Sequence, residues 1–316
     1  MNSPATLRVP FEDGTLAVRD YGGHGPVVLL VHALGMCAMN WDRVAIPLAR
    51  TCRVLAVDLP GHGQSTCTMR TPFSVYQCLI ATAEHLDVTP ILVGHDHGSL
   101  CMTEAVSARP DLFAAGVAVG GSIVRTRDEM REICDFAASD YFKEAMRTRF
   151  CLGATGVGRE AADRVLDVVV LNGSIDWFMS DMEELRAERE YCLGWGDDGS
   201  WVHQPDPEDI AMVGHFPADH DFFPCMDLIP KYQVPVWMVH LSHGYDVQMA
   251  SREVAMAREH DALRLVYLES GQWPQYTVPG TLADLLAAIA ADPLAKGLSE
   301  ADQTEDAESA NGGVSA

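Results

Sequence analysis

Short, continuous apolar runs alternate along this chain with longer stretches of helical spacing. Pro26–Val31 is apolar throughout, the pattern expected where helices cover both faces of a parallel sheet. Arg53–Val57, Pro90–Val93, Phe113–Val119, Pro235–His240 and Leu263–Leu268 read as further strands. Between and after them, Trp41–Ala49, Ser74–Leu86, Ser99–Ala108, Ser251–His260 and Thr281–Ala291 carry helical periodicity. The alternation predicts an α/β fold with a doubly wound, mostly parallel sheet. Upstream, two strand-like segments, Leu7–Phe11 and Thr15–Tyr21, flank Asp13-Gly14 and predict a hairpin.

After Ser122 the rhythm breaks. The chain runs to about Pro230 through charged, aromatic, helix-forming sequence with no parallel-strand signal. The expected organisation is a core from residues 1–122 and 231–295, interrupted by a helical cap over 123–230. Residues 296–316 are acidic and small with almost no large apolar side chains, so they cannot repay the entropy of ordering and are expected to form a disordered tail.

Charge and cysteine usage narrow the function classes. Lys and Arg total 22 against 45 Asp and Glu, a formal net charge of −23, which argues against a nucleic-acid partner because phosphate neutralisation needs clustered cations. A small or neutral substrate suits this balance better than a polyanionic one. The nine cysteines are scattered and never form a C-x-x-C pair, so neither a metal nor another cofactor is expected. No basic, apolar leader and no membrane-length apolar run is present, which predicts a cytoplasmic protein without a membrane partner, with a homodimer left open.

In an open α/β sheet the chemistry lies beyond the carboxyl ends of the strands. The sharpest candidate is Gly94-His95-Asp96-His97-Gly98, a G-x-nucleophile-x-G element between a predicted strand and a predicted helix. Its glycines permit a tight turn that would expose Asp96 above the sheet, near the positive end of the following helix.

With that element, the loops His32-Ala33-Leu34-Gly35, Asp58 to Ser65, Ser242 to Asp246 and Gly271-Gln272-Trp273-Pro274 make the chain similar to the α/β-hydrolase family over nearly all of residues 7–291 outside the cap. The resemblance implies an enzyme with Asp96 as nucleophile, Asp246 as the acid of a triad, and the backbone N–H groups of Leu34 and His97 as an oxyanion hole. Position 272 should carry the histidine base, and here it is Gln272. An aspartate at the elbow resembles the epoxide hydrolases and dehalogenases. A carboxylate is already ionised and can displace a leaving group at sp³ carbon, whereas clearing the resulting ester needs a base that an amide cannot supply.

Three readings of Gln272 follow. Asp96 acts as general acid or base in a repurposed, epoxide-opening or cyclising reaction; or a His→Gln exchange has been introduced; or another imidazole among His95, His97 and His243 takes the base role. His32 and His62 belong to loop motifs where a structural role competes with substrate contact. The candidate substrate-binding residues are His32, His95, Tyr141, Trp177, Tyr191 and Trp273, whose rings would suit an aromatic or polycyclic molecule. The alternatives are a cofactor-independent dioxygenase of the 3-hydroxy-4-quinolone type, on the shared His-x-His-Gly of its elbow, and a non-catalytic small-molecule binding protein.

Overall fold

A computed structural model describes residues 4–175 and 181–297. Eleven strands follow in chain order: β1 Ala5–Phe11, β2 Gly14–Gly22, β3 Val27–Val31, β4 Arg53–Val57, β5 Ile91–His95, β6 Ala115–Val119, β7 Thr155–Val157, β8 Leu193–Trp195, β9 Ser200–His203, β10 Val236–His243 and β11 Leu263–Gly271. Eight of them form one sheet in the order β1-β2-β4-β3-β5-β6-β10-β11. From β4 onward the neighbours are parallel, and only the β1–β2 hairpin and its junction with β4 are antiparallel.

The apolar runs become strands because both sheet faces are covered. On one face Leu29, Val31, Leu55, Val57 and Leu92 pack with Leu79 and Met102, from helices Ser74–Leu86 and His97–Ala108. On the other, Val28, Leu30, Val54, Ala56 and Val93 pack with Val44, Leu282 and Leu286, from helices Asp42–Leu48 and Pro279–Ala291. Alternate residues of one strand therefore serve opposite cores, which leaves no polar position in the run.

The hairpin differs in detail from expectation. Phe11 pairs with Gly14, so the turn consists of Glu12 and Asp13, with Glu12 at φ 46°. Gly14 is required for another reason: a Cβ there would lie 2.7 Å from the backbone nitrogen of Cys67.

The segment between β6 and β10 is mostly helical, and it also holds an antiparallel sheet in the order β7-β9-β8, which short strands rich in glycine and tryptophan did not reveal in the sequence. Its first helix, Arg127–Ala138, opens with a capping box: Thr126 Oγ1 accepts the Glu129 N–H, and the Glu129 carboxylate accepts the Thr126 N–H. Arg252 of the core grips the same carboxylate and holds its pKa down to about 2. At the far end of the segment, Arg189 donates to the Gly35 carbonyl at 3.1 Å and pairs with Glu188, both buried. These contacts hold the segment over the carboxyl ends of the central strands. The tail expected over 296–316 lies outside the described residues from 298 onward.

Candidate active site

Strand β5 runs into Asp96, which stands at φ 52° and ψ −117° before helix His97–Ala108 begins. Such a backbone costs a non-glycine residue about 1–3 kcal/mol and persists only where its surroundings enforce it. Here they do. The Asp96 N–H donates to the Val119 carbonyl at 3.0 Å, its carbonyl accepts the Ser99 N–H at 2.9 Å, and Ser99 Oγ donates to the Gly94 carbonyl at 2.9 Å. The flanking glycines make room: a Cβ on Gly94 would lie 2.0 Å from the Gly98 carbonyl oxygen, and one on Gly98 would lie 2.7 Å from that of Val31. Gly94→Ala is therefore expected to lower stability by about 3 kcal/mol or more, read as a fall in the denaturant midpoint at unchanged slope.

Gln272 follows β11 and is 2% exposed. Its Nε2 donates to Asp96 Oδ1 at 3.2 Å and to the Gly120 carbonyl at 2.8 Å, while its Oε1 accepts the Tyr245 N–H at 2.9 Å. Two acceptors on one side and a donor on the other dictate the amide's orientation and use both of its N–H bonds. Asp246 faces elsewhere. Its Oδ2 accepts the Ser122 N–H at 2.8 Å and its Oδ1 pairs with Arg125; among the described contacts it makes no hydrogen bond to Gln272. The position of base and the position of acid are therefore not joined as a relay.

A cavity of about 520 Å³ opens above the elbow, a size suited to a drug-sized molecule. Asp96, His97, Leu34, Arg125, Asp246 and Trp273 line its floor and sides, and Phe136, Phe142, Phe150 and Phe216 make its roof largely apolar. The N–H groups at the start of helix His97–Ala108 lack partners within the helix, and His97 and Leu34 both border the cavity. The His97 imidazole is held down to about 4, chiefly by burial, and its Nε2 has no hydrogen-bond partner among the described residues. At neutral pH it is a poor proton acceptor.

The other candidate residues fall into different roles. His32 is fully buried, its Nδ1 bonded to the Ala33 carbonyl at 2.8 Å and its Nε2 accepting the Leu59 N–H at 3.1 Å. His62 is held likewise by Pro60 and Gly35, and burial brings it down to about 4. Both imidazoles lock loops in their neutral form. His95 is buried too; its Nε2 donates to the Gln272 carbonyl at 2.8 Å, and its ring packs 5.0 Å from that of Trp273. It supports the site from behind. His243 is exposed and pairs with Glu269. Tyr141 is 76% exposed and lies outside the cavity lining, to which its helix, Asp140–Phe150, contributes Phe142, Met146 and Phe150 instead. Tyr191 is turned to the core, where its hydroxyl donates to Asp58 Oδ2 at 2.7 Å and Arg19 stacks on its ring, so it joins cap to core instead of lining the cavity. Of the six substrate-binding candidates, Trp273 borders the cavity and Trp177 lies outside the described residues.

Sequence reasoning missed Arg125 and Glu104, which also line the cavity. Arg125 had a signal, being the first cation past the carboxyl end of β6; Glu104 had none, since a glutamate in mid-helix reads as solvated surface. Among the described residues there is no cluster of three or more metal-ligating side chains, and no helix is long and apolar enough to cross a membrane.

An eight-stranded, mostly parallel sheet, a strained elbow at the end of β5 and a cavity beneath an inserted segment define the α/β-hydrolase class. The chain belongs to that family: the alpha/beta hydrolase fold model matches residues 26–165. It is 32% identical over 184 residues to (E)-2-((N-methylformamido)methylene)succinate hydrolase of Acinetobacter baylyi, covering 55% of this chain and 69% of that protein. It is 31% identical over 177 residues to lipase LipV of Mycobacterium tuberculosis, covering 52% and 67% respectively. Among solved structures, E-2-(acetamidomethylene)succinate hydrolase superposes with a TM-score of 0.69 at 18% identity, covering 90% of this chain and 98% of that one, a likeness of fold.

Proposed function

We propose that this member of a family with hydrolase relatives catalyses a non-hydrolytic isomerisation of a small, largely apolar ring molecule, with Asp96 as general base and acid. The leading case is opening of an epoxide by a hydroxyl of the same molecule. The observation that carries this reading is the environment of Gln272: its amide is saturated by Asp96, Gly120 and Tyr245, while Asp246 is committed to Ser122 and Arg125. A Gln so fitted orients a carboxylate and cannot take a proton from water.

The steps balance without water. Gln272 holds Oδ1, which leaves Oδ2 of Asp96 to accept the proton of the substrate hydroxyl. The oxygen so released forms a bond to one epoxide carbon as the C–O bond there breaks. Negative charge develops on the departing epoxide oxygen, where the N–H groups of Leu34 and His97 would stabilise it. The proton held on Asp96 then passes to that oxygen, and the carboxylate is regenerated. An ester on Asp96 would be a dead end, because among the described residues no group beside it is suited to activate water.

A panel of aryl epoxides, each bearing an internal hydroxyl, tests the reading. The expected product is the cyclic ether, isomeric with the substrate. A diol as the main enzymatic product would overturn the reading.

A further inference from the structure

Helix His97–Ala108 presents His97, Leu100 and Glu104 to the cavity, a stripe at helical spacing that begins beside the elbow. Glu104 lies about 10 Å along the helix axis from His97, far enough that a ligand in contact with Asp96 would have to extend the length of the cavity to reach it. Its side chain is 2% exposed. Among the described residues the carboxyl makes no ion pair, and its Oε2 has no hydrogen-bond partner. The titratable groups around it are Tyr76 from helix Ser74–Leu86, Cys134 from helix Arg127–Ala138 and Cys101 of its own helix, none of them a cation. Helices wall the group in, and the opening left to it is the cavity.

We infer that Glu104 is a specificity-determining residue, a carboxylic acid whose hydroxyl donates a hydrogen bond to an uncharged oxygen, of carbonyl or hydroxyl type, on the end of the ligand remote from Asp96. The inference rests on the reading of this cavity as the substrate site. Burial pushes the Glu104 carboxyl well above the usual carboxylate range, which favours its protonated, hydrogen-bond-donating form. A buried acid without a partner is costly in the empty cavity, and a ligand oxygen removes that cost on binding, which makes the contact selective. The arrangement favours a ring system with one polar oxygen far from its reacting atoms over a pure hydrocarbon.

Equilibrium binding of 1-tetralone and of tetralin, followed by the fluorescence of the intact protein, tests the inference. The expected result is a preference for the ketone of about tenfold, kept by Glu104→Gln, whose amide still donates, and lost in Glu104→Leu, which should still bind tetralin. A preference unchanged in Glu104→Leu, no preference in the parent, or tighter binding of 2-aminotetralin than of the ketone would overturn it. If Glu104→Leu does not fold, difference infrared spectra decide. A protonated-carboxyl C=O band that moves when 1-tetralone is added, and that Glu104→Gln removes, is the expected signature; its absence refutes the assignment. Because these readouts need no turnover, a failure of proton transfer at Asp96 would leave them unaffected and would be told apart from a failure here.

Discussion

Asp96→Asn is expected to lower turnover of the hydroxy-epoxide panel by about 10²–10⁴, the usual worth of a positioned general base. The exchange keeps the shape of the side chain and preserves an acceptor for Gln272 Nε2, now 3.2 Å from Asp96 Oδ1. It removes the charge and the basic oxygen. Asparagine also tolerates positive φ better than most residues, so the elbow at φ 52° should survive and the denaturation midpoint should stay close to that of the parent. Steady-state rates combined with denaturant titrations check both halves of this expectation. Full activity in the variant would remove Asp96 from the chemistry.

Gln272→His should reduce the same turnover by about 10²-fold and gain no epoxide hydrolysis. A neutral imidazole has one N–H, so it cannot donate to both Asp96 and the Gly120 carbonyl, and its second nitrogen is poorly placed for the Tyr245 N–H that Gln272 accepts. The carboxylate is then held less firmly, and small misplacements of a reacting group cost about 10² in rate. Nor does the new ring find an orienting acid, because Asp246 is already bound by Ser122 and Arg125. Diol formation measured with both proteins distinguishes the cases. A diol-forming Gln272→His variant would mean that the hydrolytic machinery lacks only its base.

Local rules made the core and the elbow readable. Pro26–Val31 is apolar at every position because alternate residues of β3 serve cores on opposite sheet faces, and Gly94 and Gly98 flank the turn because neither position admits a Cβ. The wiring of the site was not readable, because it depends on where distant segments meet. Asp246 takes its partners from Ser122 and Arg125, more than 120 positions earlier, and nothing in Ser242 to Asp246 distinguishes that pairing from one with position 272. The cap was hardest, since aromatic residues on amphipathic helices can face either way. Tyr141 stands on a helix without buried residues, and Tyr191, at the last position of helix Met182–Tyr191, turns to Asp58. Glu104 shows the reverse, a polar residue in mid-helix that becomes a cavity wall once two further helices close over it.

The central claim is that Asp96 moves a proton and forms no ester. Its most direct test is the mass of the Asp96 peptide after many turnovers of a reactive aryl epoxide with an internal hydroxyl, in water enriched in ¹⁸O. The account predicts a peptide of unaltered mass, with neither substrate attached nor ¹⁸O in the carboxylate, and a cyclic product free of the label. A substrate-sized mass increase on Asp96, or ¹⁸O incorporated into its carboxylate, would contradict it, because either requires a covalent bond between this oxygen and the substrate.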